Sequence, residues 1–222
     1  MLDYALHTGE IMTKIDAFRL RKAIPQEEFD YTLLTGALSE YAGVRQKINE
    51  LLKSGVIVRV KKGLYVFGPA YNNALVCKEV LANLIYGPSC ISLEYALSYH
   101  GLIPERVESL TSVTPKRDKE FKTPLGQFSY RYLGSEKYPH GIEQVWIDSK
   151  HPVLMASAEK SLCDYVALNK VTGITGSNAA REFLESDLRI DRENWSRLDA
   201  NVLRKLNKFY SNQNIEHIVE IL

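Results

Sequence analysis

The residues best suited to chemistry lie between positions 44 and 62. Six cations stand there, Arg45, Lys47, Lys53, Arg59, Lys61 and Lys62, against one acid, Glu50, while the 222-residue chain as a whole carries only +1. A local excess of that size attracts phosphate irrespective of nucleotide sequence. The same stretch holds two side-chain amides, Gln46 and Asn49. Gln and Asn pair bidentately with adenine, and Arg and Lys serve guanine or phosphate. DNA is therefore the expected ligand, through Arg45, Gln46, Lys47, Asn49, Lys53, Arg59, Lys61 and Lys62. Arg19, Arg21 and Lys22 are candidates for further backbone contacts.

Two elements must position these groups. Val44, Ile48, Leu51 and Leu52 recur at helical spacing, with Gly43 ahead and Gly55 behind, which predicts a helix over 44–54. Stepping about 100° per residue from Val44 turns the amides and Lys53 to solvent, with Arg45 and Lys47 flanking the apolar side. VIVRV, KKG and LYVF follow at 56–67, an alternating strand, a Gly-containing turn and a second strand, which predicts a hairpin. Upstream, Ile11, Ile15 and Phe18 mark one helix face. Pro25 separates it from a second helix over 26–39, with Phe29, Leu33 and Ala37 on one side and Glu27 and Glu28 in its first turn. Three helices and a hairpin are the order of a winged helix-turn-helix, whose third helix enters the major groove.

GPAYNN at 68–73 is a turn cluster. It divides the chain into an N-terminal winged helix-turn-helix over 1–70 and a larger domain over 74–222. In the second domain, helices are expected near 75–86, 90–100 and 157–169, strands near 109–114, 127–133 and 142–148, and helices again at 178–186, 199–210 and 214–221. Strands clustered between helices make the class α+β, a mixed α/β domain ending in helices.

Composition removes several classes. No apolar run reaches the length of a membrane span. The start, MLDYALHTGEIM, lacks the basic and apolar regions of a signal peptide. Cys77, Cys90 and Cys163 are too few and too scattered for a disulfide framework and suit a reducing compartment. A cytoplasmic protein with no membrane partner is expected. His7, His100, His140, His151 and His217 form neither HExxH nor a zinc spacing with cysteine, and there is no Walker loop, GxGxxG or GxSxG. No metal, cofactor or catalytic residue is assigned, and no enzyme is expected.

Three further clusters have structural accounts. Ser157 caps a helix whose first turn holds Glu159. Asp164, five residues on, lies about 140° around the axis from Glu159 and shares no face with it. Ser89 or Ser92 caps a helix that Gly101 ends, with Tyr86, Tyr95 and Tyr99 as core or rim aromatics. The run Lys116, Arg117, Lys119, Lys122 is diluted by Asp118 and Glu120 and reads as a solvated loop, with contact to RNA, DNA or a partner protein as the functional alternative.

Four segments resemble the AbiEi-type antitoxins of bacterial abortive-infection (type IV) toxin–antitoxin modules. GVIVRVKKGLYVFGPAY at 55–71 is similar to the end of that family's winged helix. YGPSCISLEYALSYHGLIPE at 86–105 resembles a family segment of the form YGPSYISLESALSYYGLIPE, and SVTPKRDKEFKTPLGQFSYRYL at 112–133 continues it. ASAEKSLCDYVAL at 156–168 resembles the family's A-x-x-EKALxD helix. The matches run collinearly from about 25 to 170. Cys90 stands where an aromatic is common, and the last fifty or so residues match nothing specific.

The resemblance implies an autoregulating repressor whose winged helix binds operator repeats ahead of its own operon. It implies a second domain that counteracts a nucleotidyltransferase-like toxin without a stable complex, in phage defence. The alternative is a stand-alone winged-helix regulator whose second domain senses a ligand or mediates dimerisation; some members lack a partner gene.

Overall fold

The computed structural model describes residues 17–222. Ile11, Ile15 and His7 lie outside them. The chain is α+β and forms two compact units, one running to Leu81 and including 123–125, the other comprising 82–122 and 126–222. The GPAYNN turn thus belongs to the first unit.

The first unit begins with α1, helical over 17–23. Then come β1 (Glu28–Asp30), α2 (Tyr31–Ala37), α3 (Val44–Lys53), β2 (Ile57–Lys61) and β3 (Leu64–Phe67). The three strands form an antiparallel sheet in the order β1-β3-β2. The helix expected over 26–39 is broken by β1, which pairs Glu28, Phe29 and Asp30 with Val66, Tyr65 and Leu64. Aromatic packing overrides the helical period: Phe29 lies 4.9 Å from the Phe67 ring and 6.3 Å from Tyr65. The helix restarts where the Asp30 carboxylate accepts the Leu33 N–H at 2.8 Å. Its buried side chain is Leu34, with Leu38 buried at the C-cap, whereas Leu33 faces solvent.

Glu27 and Glu28 are not dipole partners of a helix; both are buried acceptors. Glu27 Oε1 takes the N–H groups of Asn73 and Ala74, each at 3.0 Å, and Glu28 Oε1 takes that of Cys77 at 2.8 Å. They bind the 68–77 segment to the unit's own core. Gly68 is required there, because a Cβ would fall 1.9 Å from the Gly55 carbonyl oxygen.

The second unit contains a mixed six-stranded sheet in the order β6-β7-β5-β4-β9-β8. Its strands are β4 (Cys90–Ile91), β5 (Leu110–Thr114), β6 (Lys119–Thr123), β7 (Gly126–Tyr132), β8 (Ile142–Trp146) and β9 (Pro152–Ala156). β4 runs parallel to β9 and β5 parallel to β7, while β4–β5 and β8–β9 are antiparallel. The expected strands at 109–114, 127–133 and 142–148 are present; β4, β6 and β9 add to them.

The helices of this unit are α5 (Leu93–Tyr99), α6 (Ala158–Leu168), α7 (Ser177–Glu182) with a π turn at Phe183–Asp187, α8 (Arg192–Trp195), α9 (Ala200–Tyr210) and α10 (Gln213–Val219). Their apolar side chains join Cys90, Val113 and Ala156 from one sheet face in a single core. Tyr130, on the other face, is buried and donates its hydroxyl proton to the Ala82 carbonyl at 2.7 Å, in α4 (Lys78–Ile85).

Within the helical core lies a buried polar cluster. Lys160 and Asp164, one turn apart on α6, are both 0% exposed, with Nζ 3.3 Å from Oδ1. Lys160 also donates to the Tyr210 hydroxyl at 3.1 Å. That hydroxyl donates to Asp164 Oδ1, and Ser92 Oγ donates to Oδ2 at 2.6 Å. Burial pushes the Asp164 carboxyl above its ordinary range, and the Lys160 ammonium and the Ser92 and Tyr210 hydroxyls pull against it.

Candidate nucleic-acid interface

In the first unit, α3 buries Ile48 and Leu51 and leaves Arg45, Gln46, Asn49, Glu50 and Lys53 exposed. The β2–β3 hairpin turns through Lys62 and Gly63, and Gly63 adopts φ +86°, a left-handed value that suits glycine. The hairpin is anchored because the Gly63 carbonyl accepts the N–H of Tyr31, at the start of α2, at 2.9 Å.

Between α3 and the hairpin opens a groove of about 800 Å³. Arg45 and Asn49 line one wall and Arg59, Lys62 and Gly63 the other; Tyr31, Ile48 and Tyr65 complete it. The Arg59 guanidinium lies 5.8 Å from the Tyr65 ring centroid, near enough for a cation–π attraction that holds the arm against the wall. No carboxylate stands among the lining side chains.

Glu50 is occupied elsewhere. It accepts from Gln46 Nε2 at 3.1 Å and pairs with Lys47 at 3.5 Å. Lys47 in turn lies 5.0 Å from the Tyr41 centroid. The segment's single acid therefore neutralises one flank of α3 and leaves the groove cationic. Of the eight residues named from the sequence, Arg45, Asn49, Arg59 and Lys62 line the groove. Gln46, Lys47, Lys53 and Lys61 do not.

Arg21 is a correction. Its Nε donates to the Tyr71 carbonyl at 3.1 Å and its Nη1 to those of Gln26 at 3.2 Å and Pro25 at 3.5 Å. Its Nη2 pairs with Glu27, and its guanidinium covers the Phe67 ring at 3.9 Å. Each of its three nitrogens has a partner within the protein and the side chain is only 10% exposed, so Arg21 is committed to the fold rather than to phosphate; Arg19 and Lys22 are exposed. Tyr31 and Tyr65 are aromatic groove residues that sequence reading did not assign to the site. The place of Tyr31 is set by the start of α2, where its N–H bonds to the Gly63 carbonyl at the hairpin turn, a long-range contact with no local signal.

The described histidines have other partners. His100 Nε2 meets the Ala156 carbonyl oxygen at 2.8 Å, and His140 stacks on Phe209 at 3.4 Å between centroids. His151 sits on Asp148 and His217 on Glu220. Among the described residues no three His, Cys, Asp or Glu side chains converge as a metal site, and no helix is long and apolar enough to cross a membrane.

No family model matches the chain, and no curated protein matches it. Its fold is similar to the crystal structure of the RV2827C protein from Mycobacterium tuberculosis. The TM-score is 0.57 at 12% identity, over 93% of this chain and 75% of that one. At that identity the likeness is one of fold.

Proposed function

We propose that the first unit is a winged helix-turn-helix that binds double-stranded DNA, and that the chain is a transcriptional repressor. The element order α1-β1-α2-α3-β2-β3 supports the first statement, because in that order α3 would be the reading helix and the β2–β3 hairpin the wing. The observation that carries the proposal is the groove: three cations, an amide and no carboxylate on facing walls open to solvent. Arg45 stands in the first turn of α3, the part of such a helix that usually approaches base edges, and Asn49 follows one turn later on the same side. Arg59 and Lys62 would take phosphates and fix the register.

On the sequence resemblance, we further propose that the repressor is the antitoxin of a type IV module, acting on its own operator and counteracting a nucleotidyltransferase-like toxin. The test is retention of a labelled fragment from upstream of its gene. Reversing charge at Arg45, Lys61 and Lys62 together should abolish retention while thermal unfolding stays unchanged. Wild-type affinity should fall on the order of a thousandfold between about 50 and 200 mM salt. Salt-insensitive retention by the reversed variant refutes DNA binding through this groove. Toxin co-expression with the full chain tests the antitoxin role separately: no rescue of growth leaves a stand-alone regulator.

A further inference from the structure

A second cationic surface lies on the other unit. Lys116, Arg117, Lys119 and Lys122 occupy the β5–β6 turn and the edge strand β6, and all four are exposed. Their two acidic neighbours are diverted. Asp118 Oδ1 accepts the Tyr132 N–H at 2.6 Å. Glu120 lies on the opposite face of β6 from Lys119 and Phe121, together with Lys122, because successive strand residues alternate, so the face with Lys119 carries no acid from β6. No described carboxylate forms an ion pair with any of the four cations.

Two of the ammonium groups converge on one ring. Lys116 Nζ lies 5.4 Å and Lys119 Nζ 5.6 Å from the Tyr86 centroid, and Lys119 is also 5.3 Å from Phe121. Lys116 gives one proton to the Gly87 carbonyl at 2.5 Å, and an ammonium keeps two more. Tyr86 and Phe121 are held in place by edge contacts with the buried Tyr130 at 5.3 and 5.8 Å. Tyr132 follows two residues after Tyr130 on β7 and so shares its face, but it is 53% exposed.

We propose that this face binds single-stranded nucleic acid, with the lysines on phosphates and Tyr132 stacked on an unpaired base. Convergent like charges are relieved by an anion between them. An exposed ring beside them adds nothing to a duplex backbone, whose bases are already stacked, but it is a platform for a free base. The site is separate from the α3 groove and does not depend on that groove's ligand.

The test uses the full-length protein and fluorescein-labelled dT20 and U20, read by anisotropy, with an unlabelled duplex of unrelated sequence as competitor. Wild type should bind one or both oligomers and hold them against an equal amount of duplex; a preference between them tells whether a 2′-hydroxyl is used. Lys116→Gln with Lys119→Gln should weaken binding at least about tenfold and flatten its salt dependence by about 1.4 in log–log slope. Tyr132→Ala should weaken it about fivefold or more with the slope unchanged. Arg45→Ala with Lys62→Ala should leave it intact. Thermal melting confirms that each variant is folded. Failure of wild type to bind either oligomer, unchanged binding by the Lys116/Lys119 and Tyr132 variants, or displacement by duplex with loss in the Arg45/Lys62 variant overturns the proposal. So does capture of polyglutamate in place of the oligomers.

Discussion

The α3 groove of the first unit and the Lys160–Asp164 cluster of the second are made of the same kinds of side chain, put to opposite ends. In the cluster every polar atom has its partner inside the protein: the ammonium has a carboxylate and a phenol, and the carboxylate has two hydroxyl donors. In the groove three cations face water with no carboxylate beside them. A buried charge is tolerated only when its neighbours complete it. An exposed set gathered in a concavity without counter-charge is completed by something from outside. Charge alone does not mark a site; the absence of an internal partner does.

The comparison breaks most visibly at Lys160. Lys160→Met removes the ammonium and leaves a buried carboxyl behind, so it should cost about 3–5 kcal/mol of stability in urea denaturation. The loss should depend on pH. Burial already raises the Asp164 carboxyl, and without Lys160 it rises further. The folded variant then holds a proton that the unfolded chain releases above the ordinary carboxylate value of 3.8. Stability should therefore fall as pH rises through that window and recover on acidification. Adding Asp164→Leu should cost less than the sum of the two single changes. A loss below about 1 kcal/mol, flat with pH, would mean that the cluster is not the closed ion pair described.

Arg21 makes the same point inside the first unit, next to Arg45. Both belong to a basic module, yet one is spent on the fold. Arg21→Ala strands the buried Glu27 and releases the 71–74 segment, and should cost about 3 kcal/mol. Arg21→Lys should recover only part of this, because a single ammonium cannot span Tyr71, Gln26 and Glu27 at once. Hydrogen exchange should quicken at the Asn73, Ala74 and Cys77 amides. If the amides stay protected in Arg21→Ala, Glu27 and Glu28 hold the segment without it.

Arg45→Ala and Asn49→Ala should do the reverse. Each should weaken operator binding by about 1–3 kcal/mol while changing stability by less than about 0.5 kcal/mol, as expected of exposed groups. Equal losses on operator and unrelated duplex would assign the side chain to phosphate; a loss confined to the operator would assign it to a base edge.

How far these roles were legible from the sequence depends on whether the interaction is local. The apolar stripe Val44, Ile48, Leu51 and the alternating VIVRV report their own elements, so α3 and the hairpin were readable together with the cations they carry. The strands at 110–114 and 126–132 were readable for the same reason. β1 was not: three residues cannot outvote a helical pattern, and what makes them a strand is Tyr65 and Phe67, some thirty-five residues later. Arg21 looked like any surface cation, because its partner Tyr71 lies fifty residues away. Asp164 showed only that it shared no face with Glu159. Its partners Ser92 and Tyr210 come from distant helices. Membership of the groove failed in the same way, since it is decided by where the hairpin leans along α3.

Gln46 therefore gives the smallest predicted effect and the sharpest one. By helical angle it faces solvent more squarely than Asn49 does, and by type it reads adenine equally well. Its amide, however, is bonded to Glu50 at 3.1 Å on the flank that also holds Lys47, outside the groove. Gln46→Ala should change operator affinity by no more than about 0.5 kcal/mol, the range of an exposed substitution that touches no ligand. Titrating Gln46→Ala beside Asn49→Ala on the same fragment decides between two dockings of one helix. If Asn49 matters and Gln46 does not, DNA enters between α3 and the hairpin. If Gln46→Ala loses as much as Asn49→Ala, α3 presents its outer flank instead. Glu50 would then stand in the interface and repel phosphate, and Glu50→Gln would strengthen binding.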